Sequence, residues 1–227
     1  MSKQLSDISA CVFDAYGTLF DVSSVAHGAR DALGERWQAL SDLWRAKQLQ
    51  YTWLRGLAGH HVDFWQVTGD ALDYAMGSLE IKDAGLRERL MNLYLRISAY
   101  PEGPAMLAEL KARGMKLAIL SNGSPAMLAA AVGNAGIAAY FDAVLSVEEV
   151  GVYKPHPSVY GLAPRRLAIP NEQICFLSSN SWDAFSAKAF GFKALWCNRV
   201  GQLPERIPSP PDGEITDLSA LPGWLAH

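Results

Sequence analysis

Half of the 227 residues are apolar and the formal net charge is only −3, a composition typical of a globular protein with one or two domains. A nucleic-acid-binding protein needs a clustered basic surface, and this charge balance provides none. No run approaches the roughly 20 apolar residues that cross a bilayer, and residues 1–7 lack the apolar centre of a signal peptide. We therefore expect a cytoplasmic protein that binds neither nucleic acid nor membrane.

The three cysteines each lie inside an apolar run rather than at paired spacings: Cys11, Cys175 and Cys197. Such positions are typical of buried thiols, whereas disulfides and metal clusters leave regular spacings. The pattern therefore predicts reduced, buried cysteines and a reducing compartment.

The first predicted strand, residues 10–13, ends at Asp14 and is followed by a turn that contains Gly17. A carboxylate at a strand tip, beside the backbone N–H groups of Ala15 and Tyr16, is a candidate covalent nucleophile with an anion-binding nest. The alternative is a strand-end aspartate that caps the next turn, because Asp-x-x-Gly after an apolar run is a common turn signature. Both interpretations place Asp14 at the carboxyl end of the strand.

No strand is predicted between Thr18 and about Tyr100. Three segments in this region have helical apolar spacing: 35–57, 63–76 and 86–98. We interpret them as an inserted helical cap domain, and the Pro-Glu-Gly-Pro sequence at 101–104 marks the return to the sheet. The predicted division assigns 1–18 and 100–227 to a core domain and 19–99 to the cap.

Two adjacent histidines, His60 and His61, lie between the first two predicted cap helices and suggest a metal or general-base site. Adjacent residues do not share a helix face, and no carboxylate pair accompanies them at ligand spacing. We therefore expect both side chains to be exposed.

The second half alternates between strand-like and helix-like segments. The predicted strands are 116–120, 143–145, 174–177 and 194–197. The predicted helices are 105–113, 125–135, 157–167 and 182–190. This alternation indicates an α/β fold with a parallel sheet, in which functional groups lie at the carboxyl ends of the strands. Residues 204–211, with four prolines, are predicted to be an irregular connection before a short last element.

The second predicted strand is followed by Ser121 and Asn122, a hydroxyl and an amide that suit a carboxylate or phosphate ligand. Ser124 and Pro125 come next and have the pattern of a helix N-cap with proline at the first helical position. Capping and ligand binding are compatible here, because different residues serve each.

Two later segments also place polar groups near strand ends. Lys154 lies in a proline-rich loop before a helix, where a surface lysine is the ordinary interpretation. The fourth predicted strand is followed by Ser178, Asn180 and Asp183, of which a helix N-cap explains only one. In a parallel sheet these groups would meet Asp14 at one edge.

These segments, in this order and over essentially the whole chain, resemble the haloacid dehalogenase superfamily. The matching segments are Asp14 to Thr18, Ser121-Asn122-Gly123, Lys154-Pro155 and Ser178 to Asp183. A further segment on the first predicted cap helix, Leu-Trp-Arg-x-Lys-Gln-Leu around Arg45, is similar to the (S)-2-haloacid dehalogenases; without it, Arg45 would be read as a solvated helix-face arginine. The resemblance implies a Rossmann-like core, with helices on both faces of the sheet, and an inserted helical cap.

Two departures from the wider superfamily bear on the chemistry. Its phosphatases place a second aspartate, which protonates the leaving alcohol, where this chain has Tyr16. A halide leaves as a stable anion and needs no such acid. The phosphatases also bind magnesium through an aspartate where this chain has Ser179, and magnesium prefers carboxylate oxygens. We therefore expect no metal and no other cofactor.

The resemblance implies that Asp14 attacks C2 of a short (S)-2-haloalkanoate from the side opposite the halogen, which gives an ester, a free halide and inversion. Lys154 favours the ionised form of Asp14. The substrate carboxylate would contact Ser121 and backbone amides near three further residues: Ala15, Tyr16 and Asn122.

The departing halide is implied to contact Arg45, Asn122 and Trp182, because positive charge stabilises a developing anion. Water would then attack the carbonyl of the Asp14 ester and regenerate the carboxylate. The implied water-activating network consists of Asp183, Asn180, Thr18 and Ser178.

Five residues match family positions that line or brace the substrate cavity: Tyr16, Leu49, Phe64, Tyr160 and Trp182. Core packing is the competing interpretation for each, above all for Leu49 and Phe64, which lie on apolar helix faces. Family members commonly pair through helices, so we also expect a homodimer.

Two alternatives to a metal-independent dehalogenase stay open at this stage. One is a magnesium-dependent phosphatase of the same superfamily, against which Tyr16 and Ser179 both argue. The other is a non-catalytic protein that holds a small carboxylate at the Asp14 nest. Magnesium-dependent phosphate release would indicate the first alternative, and binding without halide release would indicate the second.

Overall fold

A computed structural model describes residues 4–22, 30 and 33–226. The predicted core and cap domains also include residues 1–3, 23–29, 31–32 and 227, which lie outside the described residues. Six parallel strands form one sheet: β1 (Ala10–Phe13), β2 (Lys116–Ser121), β3 (Ala143–Ser146), β4 (Ile174–Ser178), β5 (Lys193–Cys197) and β6 (Gly213–Ile215). Their order is β3-β2-β1-β4-β5-β6.

Helices account for most of the remaining described chain. In chain order they are α1 (Trp37–Ala58), α2 (Phe64–Ser78), α3 (Ala84–Leu95), α4 (Gly103–Ala112), α5 (Pro125–Asn134), α6 (Pro157–Tyr160), α7 (Leu162–Leu167), α8 (Ser181–Phe190) and α9 (Leu221–Trp224). Short 3₁₀ helices lie at Gly34–Arg36, Ala138–Tyr140, Val147–Glu149, Asn171–Gln173 and Leu218–Ala220. The parallel sheet with its helices confirms the predicted α/β fold class.

The central strand β1 determines where polar groups collect. All four of its residues are fully buried, as expected for a parallel strand that is covered on both faces. Its last residue, Phe13, pairs with Ile119 of β2 and with Leu177 of β4, so the three strands end at nearly the same level. The strand order reverses beside β1, and the segments that follow these strands therefore meet at one edge of the sheet.

The helices α1 to α3 lie between β1 and α4, as the sequence predicts for the cap. Helix α1 buries one residue on each of four successive turns: Leu40, Trp44, Gln48 and Thr52. This four-residue spacing presents one stripe to α2. The indole of Trp44 donates to the carbonyl of Thr68 in α2 at 2.8 Å, and the Gln48 amide donates to the Thr68 hydroxyl at 2.8 Å.

Two connections join these helices to the sheet, and they run beside each other. The amide of Asp21 donates to the carbonyl of Ser98 at 2.9 Å, and the amide of Tyr100 donates to the carbonyl of Leu19 at 2.9 Å. The contacts lie where the sequence predicts the division between core and cap. The boundaries at 18/19 and 99/100 stay a prediction that this pairing supports.

Three features differ from the sequence-based expectations. The predicted helix 157–167 is divided into α6 and α7, because Pro164 has no N–H to donate to the carbonyl of Tyr160. Strand β6 was not predicted, since three residues are too few to show a period. The predicted exposure of His61 was wrong: its Nε2 lies 3.1 Å from Glu148 and its side chain is 19% exposed, while His60 is exposed.

Other expectations hold within the described residues. The cysteines are unpaired and buried, as predicted. Ser124 caps α5 by accepting from the amide of Met127 at 3.4 Å, and Pro125 is the first helical residue. Among the described helices, none combines the length and apolar character that a membrane span requires.

Candidate active site

Asp14 lies directly after β1 and is 6% exposed. Its Oδ1 accepts a hydrogen bond from Lys154 Nζ at 3.0 Å. Its Oδ2 accepts from Thr18 Oγ1 at 3.1 Å, from Asn180 Nδ2 at 3.0 Å and from Ser178 Oγ at 3.4 Å. Four hydrogen-bond donors therefore converge on the carboxyl group that the sequence predicts as the nucleophile.

The local backbone explains why Thr18 reaches Asp14. Gly17 has φ +88°, a left-handed conformation that glycine adopts without steric cost and that closes the turn after β1. The Thr18 hydroxyl also accepts from the amide of Ser179 at 2.8 Å, and Ser178 Oγ accepts from the amide of Asn180 at 3.1 Å. The segments after β1 and β4 thus hold each other in place.

Lys154 is not the surface lysine that its segment alone suggests, because it is only 1% exposed. Its ammonium donates to Asp14 at 3.0 Å and to Asp183 Oδ2 at 2.8 Å. Burial lowers the pKa of Lys154, but the two carboxylates raise it, and the net pKa lies above that of an ordinary lysine. The backbone amide of Lys154 donates to Asn122 Oδ1 at 3.0 Å, which anchors the loop beside the site.

Asp183 lies on α8 and is fully buried behind Lys154. The Tyr160 hydroxyl donates to Asp183 Oδ1 at 2.7 Å, opposite the contact with Lys154. Burial raises the pKa of Asp183; Lys154 opposes this effect and Asp14 adds to it. Burial and then Asp183 raise the pKa of Tyr160 well above its ordinary value, so the hydroxyl keeps its proton and acts as a donor.

A cavity of about 20 Å³ lies over Asp14, between the sheet edge and the cap helices. Its lining consists of Asp14, Tyr16, Arg45, Leu49, Phe64, Ser121, Asn122, Lys154, Asn180 and Trp182. Every one of these residues was singled out from the sequence.

The remaining sequence-predicted residues lie one layer outside the cavity. Thr18 and Ser178 donate to Asp14, Asp183 accepts from Lys154, and Ala15 is buried next to Asp14 in the chain. Tyr160 does not line the cavity, because its hydroxyl points at Asp183 and its ring packs against three phenylalanines: Phe176, Phe190 and Phe192. Of the two roles that the resemblance allowed for Tyr160, only bracing agrees with this position.

Arg45 reaches the site from α1. One guanidinium nitrogen donates to Asn180 Oδ1 at 2.9 Å and the other donates to Gln48 Oε1 at 2.7 Å. Gln48 belongs to the matching segment around Arg45, but no role was assigned to it from the sequence. It is fully buried and in turn donates to Thr68 at 2.8 Å, so that it fixes the direction of Arg45. Its position three residues after Arg45, on the same helix face, is a signal that could have identified it.

Tyr16 forms an aromatic wall of the cavity. Its ring stacks on Phe64 with centroids 6.2 Å apart, and it contacts Tyr94 at 5.9 Å. Burial, then Tyr94 and Asp14, raise the pKa of Tyr16, whose hydroxyl has no hydrogen-bond partner among the described residues. A Cβ at Gly123 would lie 2.8 Å from the Tyr16 ring, so glycine is required there for the ring to occupy this position.

Known proteins are similar to this chain in sequence and fold. The family model described as haloacid dehalogenase-like hydrolase matches residues 8–191. The (S)-2-haloacid dehalogenase of Pseudomonas sp. strain YL is 47% identical over 94% of this chain and 93% of its own length. The L-2-haloacid dehalogenase of Xanthobacter autotrophicus, solved with chloropropionic acid covalently bound, has a TM-score of 0.88 at 39% identity, covering 95% of this chain and 97% of that chain. A solved dehalogenase with an intermediate complex has a TM-score of 0.95 at 41% identity, covering 98% and 99%.

Replacing Lys154 with methionine tests the central ion pairs. We expect Lys154→Met to lower the free energy of unfolding by about 3–5 kcal/mol at pH 7.5, because two buried carboxylates lose their cation. Lys154 lowers the pKa of Asp183, so its loss raises that pKa further. When the pKa of a carboxyl group is higher in the folded than in the unfolded state, the stability that this group contributes is present at low pH and is lost as pH rises through the folded-state pKa. The loss of stability caused by Lys154→Met is therefore expected to be smaller at pH 4.5 than at pH 7.5.

Urea unfolding at both pH values measures this effect. Lys111→Met is the matched control, since Lys111 pairs with Asp142 at 2.9 Å but both side chains are 35% exposed. Its cost is expected to stay below about 1 kcal/mol. Equal costs for the two variants, or a deficit at Lys154 that does not change with pH, would contradict the ion-pair interpretation.

Proposed function

Because the chain belongs to the haloacid dehalogenase-like hydrolases, we propose that it hydrolyses short (S)-2-haloalkanoic acids to (R)-2-hydroxyalkanoic acids. The observation that carries the proposal is that four hydrogen-bond donors hold the Asp14 carboxyl group in a small cavity that Arg45 also lines. A nucleophile with a cation in the same cavity suits displacement of an anionic leaving group.

In the proposed first step, a carboxylate oxygen of Asp14 attacks C2 of the substrate. The new C–O bond forms as the carbon–halogen bond breaks, and the electron pair of the carbon–halogen bond leaves with the halide. Attack from the side opposite the halogen inverts C2. The substrate carboxylate would rest on Ser121 and on amides near Ala15, Tyr16 and Asn122, which aims C2 at Asp14.

Halide departure needs positive charge rather than a proton. Arg45 and Asn122 both line the cavity with Trp182, and Arg45 is already held by Asn180 and Gln48. Such a preorganised guanidinium stabilises the developing anion without having to reorient. Tyr16, which replaces the acid of the superfamily phosphatases, keeps its proton because its pKa is raised by burial.

In the proposed second step, water adds to the carbonyl of the Asp14 ester and the alkoxide of the product leaves with a proton. Asp183 is the proposed base, and its raised pKa suits proton uptake. Lys154 lies between Asp183 and Asp14, so the water would approach beside the ammonium. Tyr160 would orient Asp183, while Thr18, Ser178 and Asn180 hold the Asp14 carboxyl group.

The reaction is proposed to be metal-independent. Asp14 and Asp183 share the ammonium of Lys154, and Ser179 stands where a phosphatase of the superfamily would offer magnesium a carboxylate. Among the described residues, no three histidine, cysteine or carboxylate side chains come together as metal ligands.

We further propose a cytoplasmic homodimer. Unpaired buried cysteines support a reducing compartment. Leu54 of α1 is 54% exposed and Tyr74 of α2 is 45% exposed, which leaves apolar surface on the paired cap helices for a second copy. Light scattering of the purified protein tests the dimer, and a monomer at all concentrations would refute it.

Halide release tests the reaction class. With EDTA present, we expect chloride from (S)-2-chloropropionate, none from the (R) form, and (R)-lactate as the product. Asp14→Asn should reduce turnover by about a thousandfold or more while the protein stays folded, provided that mass spectrometry shows no hydrolysis of the amide back to aspartate. Asp73→Asn, at an exposed carboxylate, is the matched control.

The same assay separates the two alternatives. Phosphate release from a phosphoester only with added magnesium would identify a phosphatase. Binding of (S)-2-chloropropionate without chloride release would identify a carboxylate-binding protein.

Replacing Arg45 tests halide stabilisation. We expect Arg45→Gln to lower kcat by about 100-fold or more, because one transition-state donor contributes about 2.7–4 kcal/mol. Arg55→Gln is the matched control: Arg55 lies on the same helix but pairs with Asp70 at 2.7 Å, away from the cavity. Steady-state kinetics should show kcat and kcat/KM falling together for Arg45→Gln. An effect on KM alone would mean that Arg45 binds substrate without stabilising the halide.

A further inference from the structure

A second, larger concavity lies beside the cavity described above. It has a volume of about 410 Å³ and lies between α1, the loop after β3 and the start of α8. The residues that define this groove are Trp53, Gly56, Leu57, Val152, Trp182 and Ile207. We call it the tail groove.

Trp182 separates the tail groove from the small cavity, because its side chain lines both. The Trp53 ring packs edge-to-face on Trp182, with centroids 5.5 Å apart and an interplanar angle of 88°. Lys154 also borders both spaces. The two spaces are therefore adjacent, and a ligand that occupied both would have to pass Trp182.

The two spaces differ in volume, and this difference limits which part of a substrate each can hold. A cavity of about 20 Å³ holds about one water molecule, so only the reacting end of a haloacid can be accommodated there with small side-chain adjustments. Phe64 of the cap and Tyr16 of the core are almost fully buried, and neither lines the tail groove. Trp182 is half-buried and lines both spaces, so the free volume of the tail groove lies next to it.

The walls of the tail groove present apolar surface. Its hydroxyl groups are already used within the protein: Thr52 donates to the carbonyl of Leu49 at 2.7 Å, and Ser186 donates to the carbonyl of Trp182 at 2.7 Å. The Tyr153 hydroxyl likewise donates to the carbonyl of Val62. A ligand would find few free polar partners here, which favours an alkyl chain over a polar group.

We propose that the tail groove binds the alkyl chain of 2-haloalkanoates longer than propionate, with Trp182 and Trp53 at its entrance. The inference rests on the proposed function, because it extends the substrate class of the same site. Burial of a methylene group is worth about a fourfold gain in binding, so kcat/KM should rise by up to about fourfold for each methylene that enters the groove.

The test is a series of (S)-2-bromoalkanoates from propionate to octanoate, measured by bromide release. Gly56→Leu should fill the groove: a Cβ at this position would lie 3.7 Å from Val152 Cγ2, an ordinary contact, and the rest of the side chain would extend into the space. We expect kcat/KM for the octanoate to fall about tenfold or more and that for the propionate to change less than twofold.

Gly77→Leu is the matched control, because Gly77 lies on α2 with no atom within 4 Å of an added Cβ. If Gly56→Leu does not fold, Leu57→Asn provides the same comparison, since Leu57 is 89% exposed and its loss should not unfold the protein. For Leu57→Asn we expect a two- to fivefold fall with the octanoate only.

The outcomes separate this inference from the proposed function. No bromide from the propionate would mean that the proposed function fails. Turnover of the propionate with none of the octanoate, or octanoate turnover that both groove variants leave unchanged, would overturn the tail groove alone. Octanoate turnover that both groove variants leave unchanged would assign this apolar surface to a different occupant, such as a protein partner.

Discussion

The structure depends on one buried cation placed between two buried carboxylates. Lys154 is 1% exposed and contacts both Asp14 and Asp183, so removing the lysine leaves two carboxylates in the interior without the cation they share. These three residues come from the end of β1, the loop after β3 and helix α8. Their mutual dependence fixes the sheet edge at the point where the chemistry is proposed to occur.

The same network extends to the cap through a single amide. Asn180 donates to Asp14 with its nitrogen and accepts from Arg45 with its oxygen, which places a cap residue two hydrogen bonds from the nucleophile. Gln48 holds Arg45 from the other side. The position of helix α1 and the geometry of the carboxylate are therefore coupled, and packing between α1 and α2 contributes to the site without touching it.

The proposed chemistry also explains why this chain lacks two features of the superfamily phosphatases. A halide needs no proton on departure, so an aromatic ring can occupy the position of the phosphatase acid, and Tyr16 there excludes water from the cavity. A fixed ammonium, which needs no separate binding event, supplies the positive charge between the carboxylates. A small cavity with an apolar groove beside it suits a substrate with one charged end and an alkyl chain.

The sequence by itself determined the alternation of strands and helices, the helical insertion and the placement of Asp14, Ser121 and Ser178 at strand ends. These features follow from periodicity and turn chemistry, which neighbouring residues encode. Tertiary structure alone decided that Lys154 is buried, that Tyr160 braces Asp183 and that Trp182 borders two spaces. Those facts depend on contacts between residues far apart in the chain, such as the 140 positions between Asp14 and Lys154, and no local pattern specifies them.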